Sequence, residues 1–227
     1  MIPRALSRSV EDYLKAIYSL SEAGEAASTS AIAEALLIQP ASVTGMVKRL
    51  AEEGLLEHVP YRGVRLTRGG EREALRVLRR HRILETYLCE RLAFAWDDVH
   101  AEAERLEHAA SDDLIDRMAA ALGSPSHDPH GAPIPTRAGE IEATDLATLA
   151  DALPGSRLRI RAVQDEEAAE LRSMADDGLV PGVSVIVNAA PSNAGEVGLT
   201  VGEDGDAVTV PNDLARKIFV VPDGSAP

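Results

Sequence analysis

The chain has 227 residues, enough for one large domain or two to three small ones and for a core that needs no disulfide cross-links. Its single cysteine, Cys89, excludes an intrachain disulfide framework and indicates a reducing compartment. The first residues lack the apolar core of a secretory signal, and no apolar stretch reaches about 18 residues. We therefore expect a cytoplasmic protein with no membrane partner.

The formal net charge of −14 is distributed unevenly along the chain. Residues 1–80 hold 12 Lys and Arg against 10 Asp and Glu, a net charge of +2, whereas residues 81–227 carry −16. The acidic total argues against nonspecific nucleic-acid binding by the whole surface. The asymmetry favours a first part that faces DNA and a second part that binds cations.

The first 72 residues have the pattern of three helices followed by a hairpin. Apolar residues recur at helical spacing from Val10 to Leu20, and Ser30 is predicted to cap a second helix. Pro40 suits the first turn of a third helix. The buried stripe of that helix would be Val43, Met46, Val47 and Leu50. Two short strands, 55–60 and 64–67, then predict a winged helix-turn-helix domain over residues 1–72.

The rest of the chain changes period twice. Residues 73–140 are predicted to hold two helices, the first ending at Glu90 or Leu92, and a Pro- and Gly-rich loop at 123–135. Residues 141–153 form a linker. Residues 154–227 contain short alternating strands, which predict a small β-barrel. The predicted fold class is α+β, mainly α.

The third predicted helix and the hairpin carry the side chains expected to bind DNA. Polar residues stand at the start of the helix, where a recognition helix meets base edges, and basic residues that can bind phosphates follow. The candidate DNA-binding residues are Gln39, Pro40, Ala41, Ser42, Thr44, Lys48, Arg49, Arg62 and Arg65. The alternative is a solvated helix and hairpin, but the convergence on one motif favours DNA.

One predicted helix carries a pattern typical of a metal site. Its residues His100, Glu104, Glu107 and His108 fall on one helical face, where imidazole and carboxylate groups converge as a divalent cation requires. The alternative is an acidic, solvated face. A second pair, His81 and Glu85, is also compatible with an ordinary exposed helix pair.

The remaining motifs are a possible helix cap near the N-terminus and the absence of known catalytic signatures. Asp12 stands three residues after Ser9, a spacing typical of a capping box with Ser9 as the N-cap. The sequence contains no phosphate-binding Gly-rich loop, no nucleophile elbow and no HExxH motif. No catalytic residue is therefore predicted.

Taken together, the motifs resemble the diphtheria toxin repressor family of metal-dependent transcriptional regulators, in particular its manganese-sensing branch in the three-domain form. The resemblance rests on residues 11–18, 32–36, 42–47, 61–67, 80–85 and 104–108, and on the loop at 129–135. It implies an N-terminal winged helix-turn-helix, a helical metal-binding and dimerisation domain, and a C-terminal SH3-like domain.

The resemblance also implies two metal sites. The first would use Asp12, Glu104, Glu107 and His108; the second would use His81, Glu85, His100, Glu167 and Glu170. In iron-sensing members positions 12 and 104 are Met and Cys, and the carboxylates here suit Mn²⁺ better. Small two-domain manganese regulators carry a metal-binding Glu at the position of Lys15, so a binuclear site of their kind is in doubt.

The implied function is metal-dependent repression of metal uptake and homeostasis genes by a homodimer on palindromic double-stranded operator DNA. Mn²⁺ is the expected cofactor, and no organic small-molecule ligand is expected. Fe²⁺ is the alternative within the family, and Zn²⁺ or other divalent cations are expected to bind in vitro. A metal-dependent hydrolase is the alternative from another class, but it leaves the winged helix unexplained. A metal-independent repressor with an acidic dimer surface is a third interpretation.

Overall fold

The structure is a computed structural model that describes residues 6–21, 26–143, 145–164, 167–189, 195–202, 205 and 207–224. Its described residues form two compact units. The first lies within Met1–His81, Leu106–Ile115 and Pro135–Ile141, and the second within Arg82–Arg105, Asp116–Ile134 and Glu142–Pro227. No single described helix is long and apolar enough to cross a membrane. Among the described helices, the pair Thr29–Ala35 and Pro40–Glu52 is long and apolar enough when taken together, but the two helices are bent by 109° relative to each other.

The described residues form eight α-helices and eight strands. The helices of the described residues are α1 (Arg8–Ser21), α2 (Thr29–Ala35), α3 (Pro40–Glu52), α4 (Arg68–Leu92), α5 (Val99–Leu106), α6 (Asp112–Ala121), α7 (Ala168–Asp176) and α8 (Asn212–Ala215). The strands are β1 (Leu56–Val59), β2 (Gly63–Leu66), β3 (Ala147–Thr148), β4 (Arg157–Val163), β5 (Ser184–Ala189), β6 (Glu196–Val201), β7 (Ala207–Pro211) and β8 (Ile218–Pro222). A 3₁₀ turn covers Leu149–Asp151.

The first unit contains the predicted winged helix. α1, α2, α3 and the β1–β2 hairpin share one apolar core with the start of α4. Pro40 opens α3 as predicted, because its fixed φ suits the first helical turn. Val43, Val47 and Leu50 are buried, while Met46 is only half-buried. The other side of α3 is therefore left to solvent.

Two predicted helix caps were wrong. Ser28, in extended conformation, caps α2, and its Oγ accepts a hydrogen bond from the Ala31 amide at 3.1 Å; Ser30 lies inside the helix. α1 already begins at Arg8, because the amides of Val10 and Glu11 donate to the Ser7 carbonyl. Ser9 is thus inside α1 and does not cap it, which leaves Asp12 available for another role.

The predicted second helix of the middle region is in fact two helices. α4 ends at Leu92 as predicted, but α5 stops at Leu106 and α6 starts at Asp112. Ser111 Oγ accepts a hydrogen bond from the Leu114 amide at 3.3 Å, and acidic residues open α6, which favours a new N-terminus there. As a result, Glu107 and His108 lie in a turn rather than on a helical face.

In the described residues of the second unit, a six-stranded antiparallel sheet has the order β3-β8-β4-β5-β6-β7. The predicted strands are present, and the predicted linker additionally contains β3. On β4, Ile160 and Ala162 are buried and Arg161 between them is half-buried, as the alternating pattern predicts, whereas Val163 is also buried and departs from it. The core of this sheet is continuous with α7 and α8.

The Pro- and Gly-rich loop of the second unit is fixed on β4. Asp128 Oδ1 accepts hydrogen bonds from the amides of His130 and Ala132, at 2.9 and 3.0 Å. The Val163 amide donates to the His130 carbonyl at 2.9 Å. Gly131 has φ +86°, and a Cβ there would lie 2.1 Å from the Arg161 carbonyl oxygen. Only glycine fits this close approach.

Candidate metal centre and DNA-binding surface

Three side chains of the first unit converge between α1 and the turn after α5. His108 Nε2 lies 2.8 Å from Asp12 Oδ1 and 3.3 Å from Glu107 Oε1. One donor atom from each residue lies within 4.8 Å of the others. Glu107 is fully buried, and 8% of the His108 side chain is exposed. An imidazole nitrogen and two hard oxygens in a largely enclosed place are a suitable donor set for a divalent cation.

The His108 ring supports this assignment. Its Nε2 is buried and, among the described residues, makes no hydrogen bond of acceptable geometry despite the two nearby carboxylates. Its Nδ1 lies 2.7 Å from Glu11 Oε2. Because an ionised carboxylate only accepts, Nδ1 carries the proton in the neutral ring and Nε2 presents a lone pair. In this tautomer the Nε2 lone pair faces the carboxylates of Asp12 and Glu107, an arrangement that a divalent cation would satisfy, so the residues fit a metal.

Glu107 is surrounded by positive and hydrogen-bonding groups. Lys15 Nζ lies 3.0 Å from both of its oxygens, and His81 Nδ1 lies 2.6 Å from Oε2. Burial raises the pKa of Glu107, but the hydrogen bond from His81 and the charge of Lys15 outweigh it and hold that pKa below its usual value. Glu107 is therefore ionised at neutral pH and able to bind a cation.

Glu11 links His108 to a buried arginine. One carboxylate oxygen of Glu11 faces the His108 ring, and the other lies 2.5 Å from Arg80 Nη2. The side chains of Glu11 and Arg80 are 11% and 8% exposed. This arrangement places a second row of hydrogen bonds directly behind one of the candidate metal ligands.

The second unit holds another cluster of potential ligands. Glu85, Asp128 and His130 are all buried, and one donor atom from each lies within 4.8 Å of the others. His130 Nε2 lies 2.8 Å from the Trp96 carbonyl oxygen, to which it donates, so that Nδ1 is the ring nitrogen with a lone pair to offer. Arg82 Nε lies 3.4 Å from Asp128 Oδ2.

The remaining predicted ligands have other neighbours. His100 Nδ1 lies 3.1 Å from Glu85 Oε1, so the structure brings these two predicted residues together, and His100 Nε2 is 3.8 Å from Glu104. Glu170 pairs with Lys217 Nζ at 2.5 Å. Glu167 is exposed at the N-cap of α7. His81, in the first unit, contacts Glu107 as described above.

The predicted DNA-binding residues lie on the open face of α3 and on the wing. Among them, Gln39, Pro40, Ala41, Ser42, Thr44, Lys48, Arg49 and Arg62 are exposed and Arg65 is half-buried. Arg49 Nε pairs with Glu53 at 2.9 Å, and Lys48 Nζ lies 4.0 Å from Glu52. These pairs are exposed and weak, so the basic side chains can exchange them for phosphates.

Comparison with known proteins covers almost the whole chain. Residues 5–64 match the family described as "Iron dependent repressor, N-terminal DNA binding domain", and residues 67–136 match its "metal binding and dimerisation domain". Residues 147–222 match the FeoA domain. The iron-dependent repressor IdeR of Mycobacterium tuberculosis is 31% identical over 226 residues, covering 92% of this chain and 95% of that protein. The chain belongs to the iron-dependent repressor family.

Other proteins are similar to the chain over nearly its whole length. The diphtheria toxin repressor of Corynebacterium glutamicum is 32% identical and covers 92% of this chain and 94% of its own length. A solved structure described as a manganese-dependent transcriptional repressor in complex with manganese has a TM-score of 0.88 at 35% identity, covering 94% of this chain and 99% of its own. IdeR of T. acidophilum has a TM-score of 0.78 at 32% identity, covering 97% and 100%.

These matches confirm the predicted resemblance and the three-domain α+β fold with an SH3-like C-terminal domain. The chain is a metal-dependent transcriptional repressor of the diphtheria toxin repressor type, and it is not an enzyme. The hydrolase alternative was therefore wrong. The winged helix and the region that matches the metal binding and dimerisation domain belong to one regulator.

Four residues in or next to the two donor clusters were not predicted: Glu11 and Lys15, which contact donors of the first cluster, and Asp128 and His130, which belong to the second. Glu11 and Lys15 stand on α1, whose periodicity marks buried positions but not what a buried carboxylate or ammonium contacts. Asp128 and His130 stand in the loop, where histidines are usually not ligands. The sequence does contain one usable signal, because Glu11 is a charged residue on the apolar face of α1 beside Val10 and Leu14. A charge at a position that the pattern marks as buried indicates a specific partner.

Proposed function

We propose that this repressor responds to manganese: as a cytoplasmic homodimer it binds palindromic operator DNA when Mn²⁺ is bound and represses genes for metal uptake and homeostasis. The observation that carries the proposal is the donor cluster of Asp12, Glu107 and His108. Glu104, which the resemblance adds to this set, stays a predicted ligand.

The donor types support Mn²⁺ as the physiological ion. Two carboxylates and one imidazole form the cluster, and carboxylate oxygens suit Mn²⁺ while sulfur ligands select softer ions. The manganese complex named above supports the same ion, whereas the mycobacterial IdeR relatives are described as iron-dependent. Since Mn²⁺ is the weakest binder among the competing divalent ions, selectivity must come from geometry and availability rather than from affinity.

The cluster couples metal binding to the position of the DNA-binding helices. Asp12 belongs to α1, whereas Glu107 and His108 belong to the turn after α5. A cation bound to both restrains α1, and α1 shares its core with α2, α3 and the hairpin. Part of the free energy of metal binding thereby orders the DNA-binding surface. A surface that is already ordered binds the operator with higher affinity.

Fluorescence anisotropy with a palindromic fragment from upstream of a metal-transporter gene tests the coupling. We expect Mn²⁺ to tighten binding about 5- to 150-fold, as a coupling of about 1–3 kcal/mol implies. Asp12→Asn and Glu107→Gln should lose this response, and Glu102→Gln, which alters a surface carboxylate of α5 paired with Arg105, should keep it. Gel filtration and circular dichroism would establish that each variant is folded and dimeric. A folded Asp12→Asn variant with an undiminished response would refute the proposal.

Anaerobic titration distinguishes manganese from iron. The same assay with Mn²⁺ and Fe²⁺ at buffered free concentrations should show activation by Mn²⁺ at the concentrations found in cells. The iron-responsive alternative would be favoured if Fe²⁺ activated DNA binding below its free concentration in cells and Mn²⁺ did not activate it. Activation by Mn²⁺ that EDTA does not reverse would argue against reversible Mn²⁺ binding as the switch.

The DNA-binding role of α3 and the wing is tested by salt dependence. Replacing Lys48 or Arg62 with Met should weaken binding to every sequence and reduce the slope of log affinity against log salt by about one for each phosphate that the side chain neutralises. Replacing Gln39 or Thr44 with Ala should instead change the preference among operator sequences. Equal effects on specific and random DNA from the Gln39 variant would argue against base contact.

A second cation is proposed for Glu85, Asp128 and His130, which are buried together. His81, His100, Glu167 and Glu170 stay predicted ligands. Equilibrium dialysis with Mn²⁺ should give two ions per chain. Asp128→Asn and Asp12→Asn should each remove a different one, since they lie in separate clusters. A stoichiometry of one that only Asp12→Asn abolishes would exclude the second site.

A further inference from the structure

We infer that Glu11, held in place by Arg80, is a positioning residue for the metal centre. It would fix the tautomer and the orientation of His108 so that Nε2 faces Asp12 and Glu107. The inference rests on the proposed cation at Asp12, Glu107 and His108, and it concerns two residues that are not themselves ligands in that proposal.

The hydrogen bond between Glu11 and His108 sets the tautomer. Glu11 Oε2 lies 2.7 Å from His108 Nδ1, and an ionised carboxylate can only accept. Nδ1 therefore carries the proton, and Nε2 is left with its lone pair. Nε2 is the buried ring nitrogen that makes no hydrogen bond among the described residues and lies 2.8 Å from Asp12 Oδ1. The ring is thus arranged to bind a cation before any cation arrives.

Arg80 explains why Glu11 does not compete for the cation. Arg80 Nη2 lies 2.5 Å from Glu11 Oε1, the oxygen that the histidine does not use. Both side chains are about nine-tenths buried. Without the guanidinium, Glu11 would lose its counter-charge beside the carboxylates of Asp12 and Glu107, and repulsion would weaken its contact with His108.

A buried ion pair is not what the position of Glu11 predicts. Glu11 is buried on the side of α1 that also carries Val10 and Leu14, where an apolar residue would avoid desolvating a charge. Replacement of a buried ion pair by apolar residues is often neutral or stabilising. The pair is therefore better explained by its hydrogen bond to a metal ligand than by stability.

The test compares Glu11→Gln, Glu11→Asp and Glu11→Leu with Glu73→Gln, which weakens a Glu–Arg pair on α4 outside the cluster. Nitrogen-15 shifts of the His108 ring in the metal-free protein should show a protonated Nδ1 in the wild type and a shift toward protonated Nε2 in the Leu variant. Mn²⁺ affinity, measured by calorimetry, should fall about 10- to 100-fold in the Leu variant. Gln keeps an acceptor oxygen and should retain most of it, and Glu73→Gln should be unchanged.

The outcomes separate this inference from the proposed function. A folded Leu variant with wild-type Mn²⁺ affinity and an unchanged ring tautomer would overturn the positioning role while leaving the metal site intact. Failure of the wild type itself to bind Mn²⁺ would overturn the metal site, and the ring shifts would still report on Glu11. If the Leu variant does not fold, Glu11→Asp keeps the charge but shortens the reach. Its loss of the Nδ1 proton would support the inference, and an unchanged tautomer would count against it.

Discussion

Lys15 Nζ lies 3.0 Å from both carboxylate oxygens of Glu107, whose side chain is fully buried. The ammonium supplies the counter-charge that a buried carboxylate requires. A cation at the proposed site would have to share Glu107 with this lysine, so we expect Lys15 to oppose metal binding while it stabilises the metal-free protein. The resemblance placed a binuclear centre in doubt at this position, and the contact gives that doubt a physical reason.

Lys15→Met should therefore shift the balance toward metal. Removal of a nearby positive charge should raise Mn²⁺ affinity about tenfold, whereas the metal-free protein should lose roughly 1–3 kcal/mol because Glu107 loses a partner. Calorimetry gives the affinity, and urea denaturation with and without Mn²⁺ gives the stability. Lys48→Met, at an exposed position on α3, is the matched control. Unchanged or weaker Mn²⁺ binding by Lys15→Met would show that the lysine does not compete.

Asp112 at the start of α6 provides a prediction about pH. The hydrogen bond from Arg76 lowers its pKa, with burial opposing and the charge of Arg76 adding to the effect. Because the folded pKa lies below the unfolded one, the stabilisation is present above the usual Asp value and is lost as pH falls through the folded pKa. Arg76→Met should therefore cost about 0.5 kcal/mol at pH 7, the scale of a partly exposed pair, and nothing in strong acid.

Urea denaturation over a pH series measures this difference. Since Arg76 also lies 3.4 Å from Glu73, a double-mutant cycle with Asp112→Asn isolates the pair. A coupling energy that stays constant from neutral to acidic pH would mean that the Asp112 carboxylate does not carry the effect.

Gly45 in the middle of α3 is a stability cost that no neighbour explains. It is exposed, and a Cβ added there would meet nothing within 4 Å. Gly45→Ala should therefore raise the free energy of unfolding by about 0.5–1 kcal/mol. Gly63→Ala on the wing is the contrasting control, because φ is +126° and its Cβ would lie 2.1 Å from the Ala27 carbonyl oxygen. That variant should be destabilised; an unstable Gly45→Ala would reveal a constraint on α3 that the structure does not contain.

Cys89 should be a slow nucleophile. Burial, followed by the charges of Glu85, Asp128 and Glu90, raises its pKa to about 11. At pH 8, alkylation by iodoacetamide should be on the order of 100-fold slower in the folded protein than in urea. A cation bound at Glu85, Asp128 and His130 would neutralise two of these charges, so Mn²⁺ should accelerate the reaction. Asp128→Asn should abolish the acceleration, and no effect of Mn²⁺ on the wild type would argue against a cation there.

The sequence predicted those parts of the fold that depend on neighbouring residues in the chain. The apolar stripe of α3, its opening Pro40 and the turn of the wing are short-range features, and each lies where the pattern placed it. The break between α5 and α6 was missed because no Gly or Pro marks it. Ser111 caps the new helix there, and the turn before it brings Glu107 against Lys15, 92 positions away in sequence.

The candidate site was predictable only in part for the same reason. Spacing selected Glu107 and His108, although on the wrong assumption that both lie on a helix. Periodicity cannot show that Glu11 faces His108, 97 positions away, or that Arg80 holds it. Likewise, the turn that buries Asp128 with His130 depends on backbone hydrogen bonds that residue types alone do not specify.

The close contact between Gly131 and β4 couples the C-terminal sheet to the loop that carries Asp128 and His130. With the Arg161 carbonyl pressed against this glycine and the Val163 amide bonded to the neighbouring carbonyl, any shift of β4 would drag Asp128 and His130 along with it. If the proposed cation binds at Asp128 and His130, a substitution that displaces β4 should therefore weaken cation binding even though it replaces no ligand. In this chain such a variant should lose its response to metal before it loses its fold.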